Sequence, residues 1–311
     1  MGEQGMSEQG TSEQRAGEQG AGEWGFDGRF GGPGLEAGGF TAEEIDTSRP
    51  HPARMYDYYL DGWDNYEVDR LAAEQVIAAH PQVRLSARAN RAFLRRAVRE
   101  AVRGGIRQIL DIGTGIPTSP NTHEVAREEA RGVRVAYVDN DPIVATHAGA
   151  KLTNEGGAGF ALADVRQPET ILQNAVVRDL IDFREPVALL LVAVMHFVKD
   201  EEDPAGIIAT LGDALPAGSL LVLSHATEEP YAGYAQGRTD AVARDGVLDV
   251  YKNATAALNL RGRAAIEPLF GDFALLEPGL VRVPLWRPDG PVPGPEELSN
   301  TVFYGGVGRK G

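Results

Sequence analysis

From Gln108 onward, short apolar runs alternate with helix-length segments, and this rhythm constrains the fold more than any other feature of the sequence. Gln108 to Asp111, Arg134 to Val138, Phe160 to Ala163, Val187 to Val194 and Ser219 to Ser224 read as strands. Asn121 to Ala130, Pro142 to Thr153, Glu169 to Leu180 and Ala205 to Leu215 read as the helices between them. Strands joined through helices are parallel, because a parallel pair needs a crossover long enough to bring the chain back. Val187 to Val194 is apolar throughout, as suits a central strand covered on both faces. The sequence therefore predicts an α/β fold built on a doubly wound parallel sheet. Phe273 to Leu276 and Thr301 to Tyr304 supply two later strands, with a helical stretch from Asp240 to Leu258 before them.

Three helical pieces precede the sheet. Arg54 to Leu60 and Tyr66 to Ala79 flank the turn Asp61-Gly62, and His80-Pro81 ends the second piece. Ala89 to Val102 carries Phe93, Leu94, Ala97, Val98, Ala101 and Val102 on one face and stops at Gly104-Gly105. Ahead of them lies a repeat of period five built on Glu-Gln-Gly, which matches neither helix nor strand. Gly, Ser, Gln and Glu bury too little to offset the entropy of ordering. The expected organisation is a disordered tail over residues 1–44, a helical cap over 45–103 and the sheet domain over 104–311. Trp24, Phe26 and Phe30 in the tail are candidates for contact with a partner.

Composition excludes several functions. With no cysteine among 311 residues, disulfides, thiolate metal sites and cysteine nucleophiles are out. No spacing of His, Asp and Glu points to a metal, and no elbow motif points to a Ser-His-Asp hydrolase. Net charge is −15, of which −7 falls between Met1 and Glu44, so the chain is not expected to bind nucleic acid. No apolar run reaches membrane-spanning length and no secretory signal is visible, so a cytoplasmic, membrane-free location is expected. Only four of thirty basic residues are Lys, a bias typical of G+C-rich coding.

Ligands of open parallel sheets bind beyond the carboxyl ends of the strands, at the point where strand order reverses. The first such loop is Asp111-Ile112-Gly113-Thr114-Gly115-Ile116-Pro117-Thr118. Its glycines permit a sharp turn and close approach of a ligand, and a helix N-terminus follows. A dinucleotide fingerprint would place Gly where Thr118 stands, so the loop suits a nucleoside better than a pyrophosphate. After the second strand come Asp139-Asn140-Asp141-Pro142. Asp139 can accept both hydroxyls of a ribose, and Asp141 is placed to cap the helix opened by Pro142. After the third strand, Asp164 can accept from an adenine amino group with Val165 against the ring. Gly, Asp and Asp at three successive strand ends form an adenosine site.

The chain resembles class I, Rossmann-like S-adenosylmethionine-dependent methyltransferases, and more narrowly a bacterial family known as a domain of unknown function. The resemblance is carried by Ala53-Arg54-Met55-Tyr56-Asp57-Tyr58-Tyr59-Leu60-Asp61-Gly62, Asn90-Arg91-Ala92-Phe93-Leu94, the segment Leu110 to Thr118, Tyr137-Val138-Asp139-Asn140-Asp141-Pro142 and Glu277-Pro278-Gly279-Leu280-Val281. It spans residues 46–310. It implies a seven-stranded sheet with the last strand inserted antiparallel, and S-adenosylmethionine as cofactor. It further implies Gly113 and Gly115 against the amino-acid part and ribose, Asp139 on the ribose and Asp164 near adenine. Asp111, Thr114, Asn140 and Val165 belong to the same loops. Pro117 departs from the third glycine of many class I loops.

Methyl transfer is an in-line displacement on a sulfonium, so alignment and exclusion of water are the main demands. A base is needed only where the nucleophile must lose a proton. His196, after the fourth strand, is the leading candidate base, with a packed histidine as its alternative; His225, after the fifth, is second. Arg91 is the expected partner of the cofactor carboxylate, and Tyr56, Tyr58 and Tyr59 are expected at the pocket. The function expected is methylation of a small-molecule acceptor. The alternatives are a non-catalytic S-adenosylmethionine-binding regulator and a nicotinamide-dependent oxidoreductase. Oligomeric state is not legible.

Overall fold

Every residue of the first strand, β1 (Gln108–Ile112), is buried, and its side chains divide by parity between two cores. Leu110 and Ile112 enter one cluster and Ile109 the other. The same alternation runs through β4 (Ala188–Val192), with Leu189 and Leu191 on the first face and Leu190 on the second. It continues in β5 (Leu220–Ala226), where Leu221 and Leu223 oppose Leu220 and Val222. Alternate side chains of a strand point to opposite faces, so continuous apolar runs mean helices on both sides. Each fully buried leucine contributes about 1.5–3 kcal/mol over an exposed one.

The computed structural model describes residues 46–152, 156–231 and 241–311. The repeat tail, residues 1–44, lies outside the described residues. Those described all fall within one unit, Glu36–Gly311.

The sheet runs β3-β2-β1-β4-β5-β8-β6. β2 (Arg134–Asp139) and β3 (Ala158–Leu162) extend parallel from one side of β1, and β4 and β5 from the other. Strand order therefore reverses between β1 and β4, and the crevice of such a sheet opens there. β8 (Phe303–Lys310) runs antiparallel beside β5 and carries the short β6 (Phe273–Leu275) on its far edge. A two-residue β7 (Val281–Arg282) also pairs with β8. The expected seven-stranded arrangement with its last strand antiparallel is present, with β7 as an addition.

Helices α1 (Pro52–Tyr59), α2 (Glu67–Ala79) and α3 (Val83–Arg103) precede the sheet. α3 buries Phe93, Ala97, Val98 and Ala101 against the sheet, while α1 and α2 form a separate core through Met55, Tyr59, Ala73 and Val76. α4 (Thr122–Glu129) and α5 (Pro142–Leu152) follow β1 and β2. Between β3 and β4 the single helix expected over 169–180 is two, α6 (Pro168–Gln173) and α7 (Ala175–Leu180). The break is at Asn174, whose extended backbone leaves the helix and whose side chain caps the next by accepting from Val176 N at 2.9 Å. α8 (Pro204–Asp213) leads to β5. α9 (Ala241–Lys252) ends six residues before the expected Leu258, and the chain from Asn253 returns over the strand ends. There Asn259 N donates to His196 O at 2.7 Å. Two short helices, α10 (Arg263–Ile266) and α11 (Pro295–Ser299), complete the chain. Among the described residues no helix is long and apolar enough to cross a membrane.

Candidate functional site

The β1–α4 loop turns at two glycines in the left-handed region, Gly113 at φ 71° and Gly115 at φ 66°. At Gly113 a Cβ would lie 2.6 Å from Val194 Cγ2, so the backbone after β1 packs directly on the segment after β4. At Gly115 a Cβ would meet nothing within 4 Å. The first glycine is thus required by close approach, and the second faces open space. Gly113 N and Thr114 N donate to Val138 O at 2.8 and 3.2 Å, and Gly115 N donates to Asp139 Oδ2 at 2.8 Å. The glycine loop is bound to the end of β2 by three hydrogen bonds.

Asp139 is buried, and its other oxygen accepts from Asp141 N at 3.1 Å. Burial pushes its carboxyl up to about 6, against the opposing pull of these N–H donors. Asp111 is also buried and is pushed up to about 6 by burial, with the Thr122 hydroxyl donating to it at 2.6 Å. Asp141 caps α5 by accepting from Ile143 N at 2.9 Å. Its second oxygen turns to the cap, 3.5 Å from Arg54 Nε and 3.2 Å from His51 Nδ1. Arg54, 1% exposed, also approaches Asp69 of α2 at 3.6 Å. A buried ionic cluster therefore joins α1 and α2 to the loop that carries Asp139.

Asp164, after β3, is engaged by its neighbours. Arg166 Nε donates to Oδ1 at 2.9 Å and Arg166 Nη2 to Oδ2 at 2.5 Å, with Asn140 Nδ2 3.2 Å from Oδ2. Burial raises this carboxyl, but the hydrogen bonds from Arg166 and Asn140 together outweigh it and hold it below its usual range. Asn140 and Asp164 thus link the second and third strand ends.

After β4 the chain turns through Ala193, a non-glycine residue at φ 59°, which costs of order 1–3 kcal/mol. Ser224 holds the turn, its Oγ accepting from Ala193 N at 3.0 Å. The turn presents the short 3-10 helix Met195–Phe197. His196 within it is 3% exposed, and its Nδ1 accepts from Ala226 N at 3.3 Å. Burial first, then His225 and Arg261, push its pKa well below the ordinary value. His225 is held entirely by protein. Its Nδ1 lies 2.7 Å from Ala226 O and its Nε2 2.9 Å from Arg261 Nη1. Burial pushes it down to about 4. It is absent from the cavity wall, which removes it as a candidate base.

One cavity of about 270 Å³ gathers all ten residues expected from the sequence: Arg91, Asp111, Gly113, Thr114, Gly115, Asp139, Asn140, Asp164, Val165 and His196. Tyr56 and Tyr59 line it too, but Tyr58 does not; its hydroxyl donates to Glu74 at 2.5 Å instead. Arg91 braces the loop before α4, donating from Nη2 to Thr118 O at 2.9 Å and to Pro120 O at 3.3 Å. Its Nε is buried without a partner. One residue earlier, Asn90 Nδ2 donates to Tyr56 Oη at 3.0 Å while its Oδ1 is buried and unpartnered. Sequence reasoning assigned no role to Asn90, although a polar side chain on the inward face of α3 was the available signal. It also missed the apolar part of the lining, formed by Phe197, Tyr251, Leu258, Leu260 and Phe303. Those side chains come from distant segments with no motif of their own.

A family model described as S-adenosyl methyltransferase matches residues 39–311. A DUF574 family protein from Streptomyces avermitilis is 40% identical, with 86% of this chain and 100% of that one covered and a TM-score of 0.78. A Thermobifida fusca protein assigned as a methyltransferase is 38% identical over 85% of this chain and 96% of its own, with a TM-score of 0.77. A comparison with curated proteins gave no match.

Proposed function

The chain belongs to the S-adenosyl methyltransferase family, and on that premise we propose that it methylates a small molecule held between the strand ends and the N-terminal helices. Its cofactor is S-adenosylmethionine, which brings a methyl group bonded to a sulfonium that departs readily as a thioether. The observation that carries the proposal is a shared wall. Gly113 and Gly115, Asp139 and Asp164, from three successive strand ends, enclose the same cavity as His196 and an apolar face.

The residues fit the cofactor part by part. Open space at Gly115 lies beside a buried Asp139 carboxylate whose remaining lone pairs suit ribose hydroxyls. Asn140, Asp164 and Val165 flank the place for adenine. On the cap side, Asn90 Oδ1 is a buried acceptor without a partner and Arg91 Nε a buried donor without one. Buried orphans of this kind cost about 1–3 kcal/mol each, and an ammonium and a carboxylate on one ligand would satisfy both. Phe197, Tyr251, Leu258, Leu260 and Phe303 exclude water from the acceptor side and so lower the local dielectric.

Calorimetric titration of the full chain with S-adenosylhomocysteine and with NAD tests the reading. The first binds and the second binds at least tenfold more weakly; the reverse order would sink it. Transfer of a labelled methyl group from S-adenosylmethionine into a metabolite extract then separates an enzyme from a binding protein.

A further inference from the structure

His196 is presented to the cavity as a hydrogen-bond donor. Ala226 N–H occupies Nδ1 at 3.3 Å, so the ring proton of the neutral side chain is on Nε2. No group among the described residues accepts that proton, and Nε2 is not sealed away from the cavity that His196 lines. The groups packed on the ring offer it no second charge state. Phe197 in its own turn, Phe303 on β8 and His225 on β5 have ring centroids 4.4, 5.8 and 5.5 Å away. Behind His225 stands Arg261, held by Asp200 at 2.6 Å. Protonating His196 would place a cation in a buried pocket beside that guanidinium, and burial holds the ring neutral. The role of base expected from the sequence is therefore replaced by that of donor.

A donor in the turn after β4 selects its acceptor. An amine nucleophile would lose its only lone pair to such a donor. An oxygen anion keeps lone pairs to spare and has no proton to lose. At neutral pH a carboxylate is ionised unaided, whereas an ordinary phenol is not. The wall of Phe197, Tyr251, Leu258, Leu260 and Phe303 asks for an apolar body behind that anion. It also strengthens the attraction between an anion and a sulfonium.

Resting on the methyltransferase reading, we propose that the methyl acceptor is a carboxylate carried on an apolar body, held by His196 Nε2–H, and that the product is a methyl ester. One carboxylate lone pair forms the new O–C bond while the methyl–sulfur bond breaks with its electron pair left on sulfur. One negative and one positive charge are lost together, and no proton is transferred. His196 is a positioning group that orients the second face of the reacting oxygen.

The test uses the full chain loaded with S-adenosylmethionine at neutral pH, titrated with 2-naphthoate against 2-naphthamide and with phenylacetate against phenylacetamide. Each acid binds about tenfold more tightly than its amide, the size of one charge-assisted hydrogen bond. The preference shrinks when S-adenosylhomocysteine, which lacks the positive charge, replaces the methyl donor. The part of the preference that remains with S-adenosylhomocysteine is lost in His196→Phe, with cofactor affinity unchanged within about twofold, and is mostly kept in His196→Gln, which retains a donor. Label transferred to phenylacetate is released as methanol by mild alkali. Amides binding as well as acids, neither acid binding, a preference in the S-adenosylhomocysteine complex that survives His196→Phe, or label in an alkali-stable bond would each overturn the proposal. Should His196→Phe not fold, the wild-type acid–amide comparison and the Gln variant decide. Failure of S-adenosylmethionine itself to bind would count against the methyltransferase reading instead.

Discussion

The Asp139 carboxylate receives Gly115 N–H on one oxygen and Asp141 N–H on the other before any ligand arrives. Burial pushes its carboxyl and that of Asp111 up to about 6, above the ordinary 3.8. For folding, a raised carboxyl contributes fully below its unfolded value, and that contribution is lost as pH rises through about 6. For a ligand hydroxyl donating to the carboxylate the sign reverses: the bond is fully available above about 6 and is lost as pH falls through it. S-adenosylhomocysteine affinity measured between about pH 8 and pH 5 should therefore fall on the acid side, by no more than about tenfold per pH unit for each group. Asp139→Ala should lower affinity at the alkaline end by about ten- to a hundredfold and flatten part of the profile, Asp111 retaining the rest. Affinity that is independent of pH, or unchanged in Asp139→Ala, would remove the ribose role. Asp139 and Asp164 were legible because each stands where an apolar strand ends. The difference between His196 and His225 was not, since both follow strands; Ala226 N–H, Ala226 O and Arg261, 36 residues beyond His225, decide it.

The ionic cluster of Arg54, Asp69 and Asp141, with His51 beside it, makes α1, α2 and the start of α5 one structural unit. Arg54→Leu leaves two buried carboxylates without their cation, which costs about 3–5 kcal/mol, read as a loss of stability in urea unfolding. A loss below about 1 kcal/mol would mean that the pairing contributes little. The partners of Arg54 were not legible from sequence, because they lie 15 and 87 positions away. α3 begins at Val83 rather than the expected Ala89 because Ser86, Ala87 and Asn90 fill the inward face of its first turns, and small or polar side chains give no apolar periodicity. β8 continues to Lys310 rather than ending at Tyr304, since Gly305, Gly306 and Gly308 hide it from any reading by strand propensity. β1, β4 and β5 were legible because burial on both faces requires apolar side chains at nearly every position, although the apolar run expected to continue to Val194 leaves β4 after Val192, where Ala193 turns the chain.

At the scale of the molecule, the doubly wound parallel sheet followed from the strand–helix rhythm and its antiparallel last strand from the family resemblance, but the roof over the strand ends did not. It is assembled from α1, α9 and the return from Asn253, which meet only in the folded chain; Thr255 N, for example, donates to Pro50 O at 3.0 Å. The tail carries −7 of the total −15 charge in a repeat poor in core-forming residues. A chain lacking residues 1–44 should keep S-adenosylhomocysteine affinity within about twofold and its unfolding midpoint within a few degrees, the change expected for about 1 kcal/mol. A larger loss in either measurement would show that the tail takes part in the cavity or the core. The buried cluster at Arg54 also ties the cap together: one guanidinium on α1 lies 3.6 Å from Asp69 of α2 and 3.5 Å from Asp141 at the start of α5, so a movement of α1 by itself would give up both pairings at once.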